Sequence, residues 1–152
     1  MTDATPPIRV LIDNRRARHE YLLLDSFEAG ISLLGSEVKS LRAGEANLQE
    51  AFVTLRADGA WLHGLHINPY RWATHEQHEA LRPRRLLLHR HELAKLRKAT
   101  GQKGMTIVPT KIYLKGSRIK VEVSLAKGKK LHDKRHSLKE RDARRDMDRH
   151  RR

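Results

Sequence analysis

Histidine is the residue type in this chain best suited to chemistry, because its imidazole titrates near neutral pH and binds metals. Ten of the 152 residues are histidines, and they include three close pairs: His63 and His66, His75 and His78, and His89 and His91. Cysteine and the HExxH pattern are both absent, and no third ligand is apparent near His75 and His78. We therefore predict neither a metal site nor a cofactor, and expect most of these histidines at the surface.

Acid–base catalysis is the second chemistry that these residue types allow. A ribonuclease of the paired-histidine kind needs two histidines and a lysine that converge on one phosphate. Both residue types are abundant here, so their presence carries little weight. The sequence shows no GxSxG, no Walker loop and no dinucleotide fingerprint. We predict that the protein is not an enzyme, and a small ribonuclease stays open as an alternative.

The charge of the chain indicates an anionic partner. The net charge is +14 and the pI is about 10.6. From Ala126 onward, 12 Lys and Arg stand against 5 Asp and Glu, so this segment carries half of the net charge. A membrane-surface helix would need a broad apolar face, which the segment lacks. Nucleic acid is therefore favoured over membrane, and surface histidines can serve as hydrogen-bond donors to RNA.

The length and composition are typical of one domain with a real core. No apolar run of 18 residues is present, and the N-terminus shows no secretory signal pattern. Disulfides are excluded because the chain has no cysteine. We expect a cytoplasmic protein.

Alternating apolar residues predict strands in the C-terminal half of the body. In IKVEVSL, apolar residues at 119, 121, 123 and 125 alternate with polar ones. TIVPTKIYL precedes this segment, and KGS at 115–117 predicts the hairpin turn between the two. Pro109 indicates an edge or bulged strand, because proline donates no ladder hydrogen bond.

Two further hairpins are predicted upstream. AFVTL and WLHGLHI flank Asp58-Gly59, a pair that favours tight turns. EYLLLDSF and ISLLGSEVKSL flank EAG at 28–30, which is interpreted as another turn. Three hairpins of short strands favour a closed or nearly closed antiparallel barrel.

One clear helix is predicted, within HRHELAKLRKATG. Leu86, Leu93 and Leu96 are expected to share its apolar face, and Gly101 lies where a helix would end. Glu92 near the start suits the positive end of the helix dipole. We expect the helix to plug an open end of the barrel, with RNA contact confined to its exposed edge.

Several long segments of the sequence occur together in a known family. NRRARHEYLLLDSFEAGISLLGSEVKSLRAGEANL is followed by RPRRLLLHRHEL, by GMTIVPTKIYLKGSRIKVEVSLAKGKKLHDKR and by KERD. In this order they closely resemble small protein B, the SsrA-binding protein family of bacteria. The resemblance runs from about Asn14 to Asp142.

The resemblance implies a mainly β fold, an oligonucleotide-binding-type antiparallel β-barrel with a few helices. The chain is expected to divide into a flexible N-terminal arm at 1–13, which contains Pro6 and Pro7, an RNA-binding barrel at 14–127 and a basic tail at 128–152. The tail is expected to be disordered in the free protein and partly helical on the ribosome.

The resemblance also implies a function. Family members bind transfer-messenger RNA (SsrA) and deliver it to stalled ribosomes for trans-translation, in which the RNA accepts the stalled peptide and encodes a degradation tag. The barrel would hold the tRNA-like elbow, and the tail would enter the decoding centre and the empty mRNA channel of the small subunit. Elongation factor Tu, acting on the aminoacylated RNA, is a further implied partner.

Four body residues match family positions at the RNA. A carboxylate at Glu28 can accept hydrogen bonds from base amino groups or a 2′-OH, although the residue alone would be interpreted as part of a turn. Leu87 and His89 match a patch where an apolar side chain and a polar ring meet unstacked bases, and some relatives carry Asn in place of His89. Lys120 matches a basic position and is expected at backbone phosphate.

The remaining matches lie in the tail. Ser137 and Glu140 form a capping-box pattern, so a helix could begin at Leu138 and carry arginines on one stripe. Asp133 is expected to orient a neighbouring cation or simply to form a surface pair, and a merely solvated tail is the alternative for the whole segment. The resemblance assigns ribosomal contacts to Lys129, Lys130, His132, Asp133, Lys134, Arg135, Arg141 and Arg145.

A second function is compatible with the composition. A general rRNA-binding or ribosome-associated barrel protein would carry the same charge and the same strands. Specific, salt-resistant binding to the elbow of transfer-messenger RNA, compared with rRNA fragments, distinguishes the two.

Overall fold

A seven-stranded antiparallel sheet forms the frame of the protein. The computed structural model describes residues 6–70, 72 and 77–128. Strands in the main sheet follow the order β1-β8-β9-β2-β7-β5-β4, and β3 pairs with β6 separately. Within these described ranges the elements are β1 (Ile8–Asp13), α1 (Arg15–Glu20), β2 (Tyr21–Ile31), α2 (Gly35–Arg42), β3 (Ala46–Asn47), β4 (Phe52–Arg56), β5 (Gly59–His63), β6 (His66–Ile67), β7 (Arg84–Leu87), α3 (Arg90–Thr100), β8 (Met105–Lys115) and β9 (Arg118–Gly128).

The long hairpin of β8 and β9 confirms the strand pattern predicted in the C-terminal half. Lys115 pairs with Arg118, so the turn has two central residues, and Gly116 adopts a positive φ of 62° there. The pairing register shifts between Pro109 and Lys111, which is the bulge that the proline indicated. The strand lies between β1 and β9 and is therefore an interior strand.

The predicted hairpin of β4 and β5 is also confirmed. Arg56 pairs with Gly59, whose φ of +135° suits glycine and disfavours a side chain. The sheet curls, since β4 at one end of the strand order also contacts β8 near the other end.

The prediction of a turn at EAG is wrong. β2 continues through it, and Glu28, Ala29 and Gly30 pair in unbroken register with β9. Gly30 is needed for close approach, because a Cβ there would lie 3.3 Å from the Cβ of Leu87 on β7. The three residues that predicted a turn therefore lie within a strand, where Gly30 allows β2 and β7 to approach closely.

The second half of that predicted hairpin is helix α2, so the strand expected there is wrong, while the few helices that the resemblance implied are present. Gly35–Arg42 follows Leu34, whose backbone N–H donates to Glu37 Oε1 over 2.8 Å. Leu41 is fully buried on the inner face of the helix. A short six-residue helix, α1, begins after Asn14, whose side chain accepts a hydrogen bond from the Ala17 N–H.

Helix α3 confirms the predicted helix, with Gly101 at its C-terminal cap. Glu92 accepts a hydrogen bond from the His89 N–H and so satisfies one donor at the start of the helix. Leu96 is fully buried and Leu93 packs against the same core. Leu86, which was expected on the helix, lies instead on the inner face of β7.

The N-terminal arm predicted at 1–13 requires a correction. Ile8–Asp13 form an edge strand paired with β8, in a register that runs from Ile8 with Lys115 to Asp13 with Lys111. Apolar residues in RVLID are spaced for a strand, but the two prolines before them suggested an arm instead.

Apolar side chains from strands β1 to β9 meet in one main core beneath the sheet. Ala29, Leu62, Leu86, Ile112 and Val121 are among the buried residues, and each lies on the inner face of its strand. No helix within the described part of the chain is long and apolar enough to cross a membrane.

A buried ion pair crosses this interior. Glu37 on α2 and Arg84 on β7 have no solvent exposure. Arg84 Nε donates to Glu37 Oε2 over 2.6 Å, and Arg84 Nη1 donates to the Leu65 carbonyl over 2.5 Å. Burial alone would raise the pKa of Glu37, but hydrogen bonds from Arg82, the Leu34 N–H and Arg84 outweigh it and hold the pKa below its usual range. The carboxylate is therefore ionised at neutral pH.

We expect Glu37→Gln to lower the free energy of unfolding by about 3 kcal/mol at pH 7, because it leaves Arg84 as a buried cation without its anion. Urea unfolding measures the change. Glu45→Gln, at an exposed position, is the matched control and should stay within about 0.5 kcal/mol of the unchanged protein.

The difference in the free energy of unfolding between Glu37→Gln and the unchanged protein should depend on pH. The folded-state pKa of Glu37 lies below the ordinary value of 4.5, so its ionised form stabilises the fold fully above that value. The stabilisation is lost as the pH falls from there through the folded-state pKa. The gap between the two proteins should narrow on acidification, and a gap independent of pH would contradict the assigned charge.

Candidate nucleic-acid interface

Three of the predicted contact residues lie together on the outer face of the sheet. Gly30 on β2 pairs with Leu87 on β7 and, on its other side, with Lys120 on β9. Lys120 pairs in turn with Tyr113 on β8. Directly opposed residues in an antiparallel sheet project from the same face, so these residues form a row across four strands. Glu28 lies two residues before Gly30 and projects from that face as well.

Glu28 is the anionic centre of this surface. Its side chain is 37% exposed, and Tyr113 Oη donates to Glu28 Oε2 over 2.5 Å across the intervening strand. Lys115 Nζ lies 3.2 Å from Oε1. The hydrogen bond from Tyr113 and, to a lesser degree, Lys115 and Lys120 hold the pKa of Glu28 below its usual range. The carboxylate is therefore ionised and acts as an acceptor with lone pairs left for a ligand.

Tyr113 is held as the protonated donor in this pair. Burial of its ring and the hydrogen bond to Glu28 raise the pKa of its hydroxyl. Lys111 Nζ lies 5.5 Å from the ring centroid, so a cation covers part of the aromatic face. Tyr113 therefore fixes the position of the Glu28 carboxylate.

Lysines surround the carboxylate on the neighbouring strands. Lys111 pairs with Glu122, and Glu122 pairs with Glu28, in the row next to that of Lys120. Together with Lys115 and Lys120, the lysines outnumber the two glutamates on this part of the face. Such a surface can meet phosphates with its cations and base or sugar donors with its carboxylates.

Leu87 provides an apolar contact beside these charges. It is the last residue of β7, and 57% of its surface is exposed. Arg84 and Leu86 point inward from the same strand, so the alternation of the strand forces Arg85 and Leu87 outward. An exposed leucine at the end of a strand can pack against the face of an unstacked base.

His89 lies at the edge of this surface. It precedes α3 by one residue and follows Leu87 by two, and its ring stacks on His91 with centroids 5.5 Å apart. His89 is exposed, and its backbone N–H donates a hydrogen bond to Glu92. The row formed by Leu87, Gly30 and Lys120 does not include it.

The predicted ribosome-contacting residues lie outside the described residues. They are Lys129, Lys130, His132, Asp133, Lys134, Arg135, Arg141 and Arg145.

The sequence reasoning missed Tyr113 and Lys115. The signal was available, because a two-residue turn at Gly116-Ser117 places Tyr113 directly opposite Lys120. The partnership of Tyr113 with Glu28 required the order of β2, β9 and β8, which hairpin patterns alone do not give.

In the part of the chain that the structure describes, no three His, Asp or Glu residues are grouped so that they could hold a metal ion. His78 is buried, and its two ring nitrogens lie 2.8 Å from Ser36 Oγ and 2.9 Å from the Ile67 carbonyl oxygen. It links α2 to β6 and so has a structural position rather than the predicted surface one.

Comparisons with known proteins show the family of the chain. The sequence matches the family profile described as SmpB protein over residues 11–152. An SsrA-binding protein of Deinococcus radiodurans is 54% identical over 140 residues, 92% of this chain and 98% of the relative. That of Synechococcus sp. (strain JA-2-3B'a(2-13)) is 52% identical over 145 residues, 95% of this chain and 94% of the relative.

A solved structure is similar as well. It is described as "tmRNA-SmpB: a journey to the center of the bacterial ribosome" and is 43% identical, with a TM-score of 0.66. The match covers 79% of this chain and 85% of that one.

The fold and the surface define a small, mainly β protein whose outer face combines cations, a fixed carboxylate and an exposed leucine. The family match extends over almost the whole chain. The protein belongs to the SmpB family.

We expect Tyr113→Phe to raise the pKa of Glu28 towards its ordinary value, because the substitution removes the hydrogen bond that contributes most to its depression. Carboxyl-carbon NMR titration measures the shift. Tyr70→Phe, whose ring lies near Lys39, is the control and should leave Glu28 unchanged. An unchanged Glu28 titration in Tyr113→Phe would show that the lysines set its pKa.

Proposed function

We propose that this protein binds transfer-messenger RNA and delivers it to stalled ribosomes for trans-translation. Relatives about half identical over nearly the full chain are SsrA-binding proteins, and the similar solved structure pairs SmpB with tmRNA at the bacterial ribosome. The observation that carries the proposal is the row of Leu87, Gly30 and Lys120, with Glu28 beside it. The family match supports the proposed function, and the geometry of this face supports its choice as the RNA-binding surface.

The proposed role of this surface is to hold the tRNA-like elbow of the RNA. Lys120 would contact backbone phosphate, while Glu28 would accept hydrogen bonds from base amino groups or a 2′-OH. Leu87 and His89 would contact unstacked bases at the end of the strand. None of these roles needs a bond to be broken, and the proposed activity is binding rather than catalysis.

The sheet is proposed to be an oligonucleotide-binding-type barrel. The contact between β4 and β8 supports it, because these strands are remote in the hydrogen-bonded order and meet through curvature of the sheet. Helix α3 lies against β8 and β9 and would close one end, as Leu96 is buried there.

The tail is proposed to work on the ribosome and not on the RNA elbow. Its positive charge suits the rRNA walls of the decoding centre and the mRNA channel. We propose that it is disordered in the free protein and gains a helix from Leu138 when bound. Elongation factor Tu is a proposed partner through the aminoacylated RNA, and the cytoplasm is the proposed place of action.

We expect Glu28→Ala and Leu87→Ala each to weaken binding of transfer-messenger RNA by about 1–3 kcal/mol, the usual range for a lost base contact. Leu87 is exposed, so thermal unfolding of its variant should change little. Glu28→Ala also removes the acceptor of the Tyr113 hydroxyl, so binding is measured well below its unfolding temperature. Filter binding with rRNA fragments as competitor measures the affinity and its specificity.

Two exposed residues provide matched controls for these variants. Glu45→Ala removes an exposed carboxylate after α2, and Leu22→Ala removes a leucine that is 53% exposed at the far end of β2. Neither should change the affinity. Equal losses in controls and test variants would show that binding is nonspecific and would favour a general rRNA-binding protein.

Removal of all residues after Leu131 should leave binding of free RNA largely intact and abolish tagging on stalled ribosomes. The salt dependence of RNA binding should become shallower, because each phosphate contact removed reduces counterion release. Arg145→Pro tests the proposed helix, as it should reduce tagging without changing RNA affinity. If the truncated protein binds poorly even at low salt, the tail belongs to the RNA site.

A further inference from the structure

Aromatic residues are few in this chain, yet two of them lie side by side on the outer face of one hairpin. The sequence contains two phenylalanines and two tryptophans, and Phe52 on β4 and Trp61 on β5 are one of each. Their inward neighbours Val53 and Leu62 are buried, which fixes the outward direction of Phe52 and Trp61. Phe52 is 46% exposed, more than a side chain used only for packing requires.

Phe52 forms a stacked pair with His63. The two residues are opposed in the β4–β5 register, and their ring centroids lie 5.3 Å apart at an interplanar angle of 15°. Thr54 Oγ1 lies 2.8 Å from His63 Nε2 and holds the imidazole in place. Burial and the charge of Arg56 lower the pKa of His63, so the ring is neutral at physiological pH. The result is a fixed, uncharged pair of nearly parallel rings stacked on one another, on which a further ring could stack.

Trp61 lies beside this pair and is also fixed. Its indole Nε1 donates to Asp58 Oδ1 over 3.0 Å, and the guanidinium of Arg56 lies 5.1 Å from its ring centroid. Arg85 on β7 pairs with Trp61 in the sheet and donates to the Asp58 carbonyl over 2.6 Å. Two exposed arginines therefore flank an oriented indole, an arrangement of cations and aromatic rings that suits single-stranded nucleic acid.

This hairpin face is continuous with the surface described above. Arg85 and Leu87 both project outward from β7, so the same strand carries one residue of each group. Adjacent strands lie about 4.8 Å apart, so Trp61 on β5 is about 10 Å across the sheet from Ser32, which follows β2. Glu28 lies four residues, or about 13 Å, back along β2, so its backbone is about 16 Å from that of Trp61. That distance is comparable with the space between a few neighbouring nucleotides of one RNA.

We propose that Phe52, His63 and Trp61 form a second stacking platform, which binds unpaired bases of the RNA whose neighbouring nucleotides contact Leu87 and Glu28. Arg56 and Arg85 meet the phosphates of that segment. The inference rests on the proposed function, because it assigns additional nucleotides to the same ligand. A base–aromatic contact tolerates any sequence, so this platform adds affinity and fixes orientation more than it selects a base.

Trp61 fluorescence tests the proposal directly. Trp72, the second tryptophan, is replaced in a Trp72→Phe protein, so that the remaining emission comes from Trp61. The probe is the isolated tRNA-like domain of transfer-messenger RNA. Stacking of a base on the indole should quench the emission at saturation, and unchanged emission with bound RNA would overturn the proposal.

Substitutions provide the second arm, measured as affinity for the same RNA domain. Phe52→Ala and Trp61→Ala should each lower affinity about 5- to 30-fold, whereas Trp61→Phe should retain most of it because a ring remains. Arg56→Gln should lower affinity and reduce the salt slope by about one. Arg56 is exposed, so this variant carries the test if an alanine variant does not fold.

The outcomes separate this proposal from the proposed function. If Glu28→Ala weakens binding and all the hairpin variants bind like the unchanged protein, the platform is wrong and the proposed function stands. If the unchanged protein does not bind the RNA domain, both fail. If the hairpin variants keep their RNA affinity and lose association with ribosomes, the face contacts a different partner and the platform is likewise overturned.

Discussion

The buried pair of Glu37 and Arg84 is the interaction on which the candidate interface depends. Arg84 donates to Glu37, to the Leu65 carbonyl and, over 3.2 Å, to the Ala80 carbonyl. It therefore joins α2, the connection after β5 and the segment before β7 around one guanidinium. A buried arginine with this many fixed acceptors has a single favourable position. A shift of β7 by one residue would turn Arg84 to solvent and bury Leu87, so the ion pair fixes the register that exposes the interface.

The register of β7 also determines which of its side chains are exposed. Arg85 and Leu87 connect two surfaces that differ in chemistry. One, around Glu28 and Tyr113, consists of charges held by hydrogen bonds, and the other, around Phe52 and Trp61, consists of flat rings. Phosphates are the same in every nucleic acid, so cations alone cannot distinguish one RNA from another. A fixed carboxylate can accept hydrogen bonds from bases and riboses, and aromatic rings can stack on bases. Lysines, which contact phosphates, cannot make either contact.

Much of the fold could be predicted from the sequence where patterns are local. The β8–β9 hairpin, the bulge at Pro109 and helix α3 follow from alternation, proline chemistry and capping residues. The strand around Glu28 could not be predicted, because Glu, Ala and Gly together favour a turn. Gly30 is required there because β7 packs closely against it at Leu87, and a contact between such distant residues leaves no local signal. Helix α2 was predicted as part of a strand because Ile31 and Leu33 before it alternate, although Val38 and Leu41 within it have the spacing of a helix. The ion pair of Glu37 with Arg84 was missed because a glutamate and an arginine 47 residues apart show no local signal.

The candidate interface follows the same division between local and remote information. Lys120 was placed on the outer face by the alternation of its own strand, while Glu28 and Leu87 were named through the family resemblance. Their approach to one another depends on Gly30 and on the order of β7, β2 and β9. The charge is distributed differently, since the segment from Ala126 carries half of the net positive charge with few apolar residues. Under the proposed function, the contacts that distinguish one RNA from another would lie on the sheet, while the basic segment would add salt-dependent attraction to rRNA. Such a division lets the affinity for an RNA surface change without altering the geometry that recognises a particular RNA.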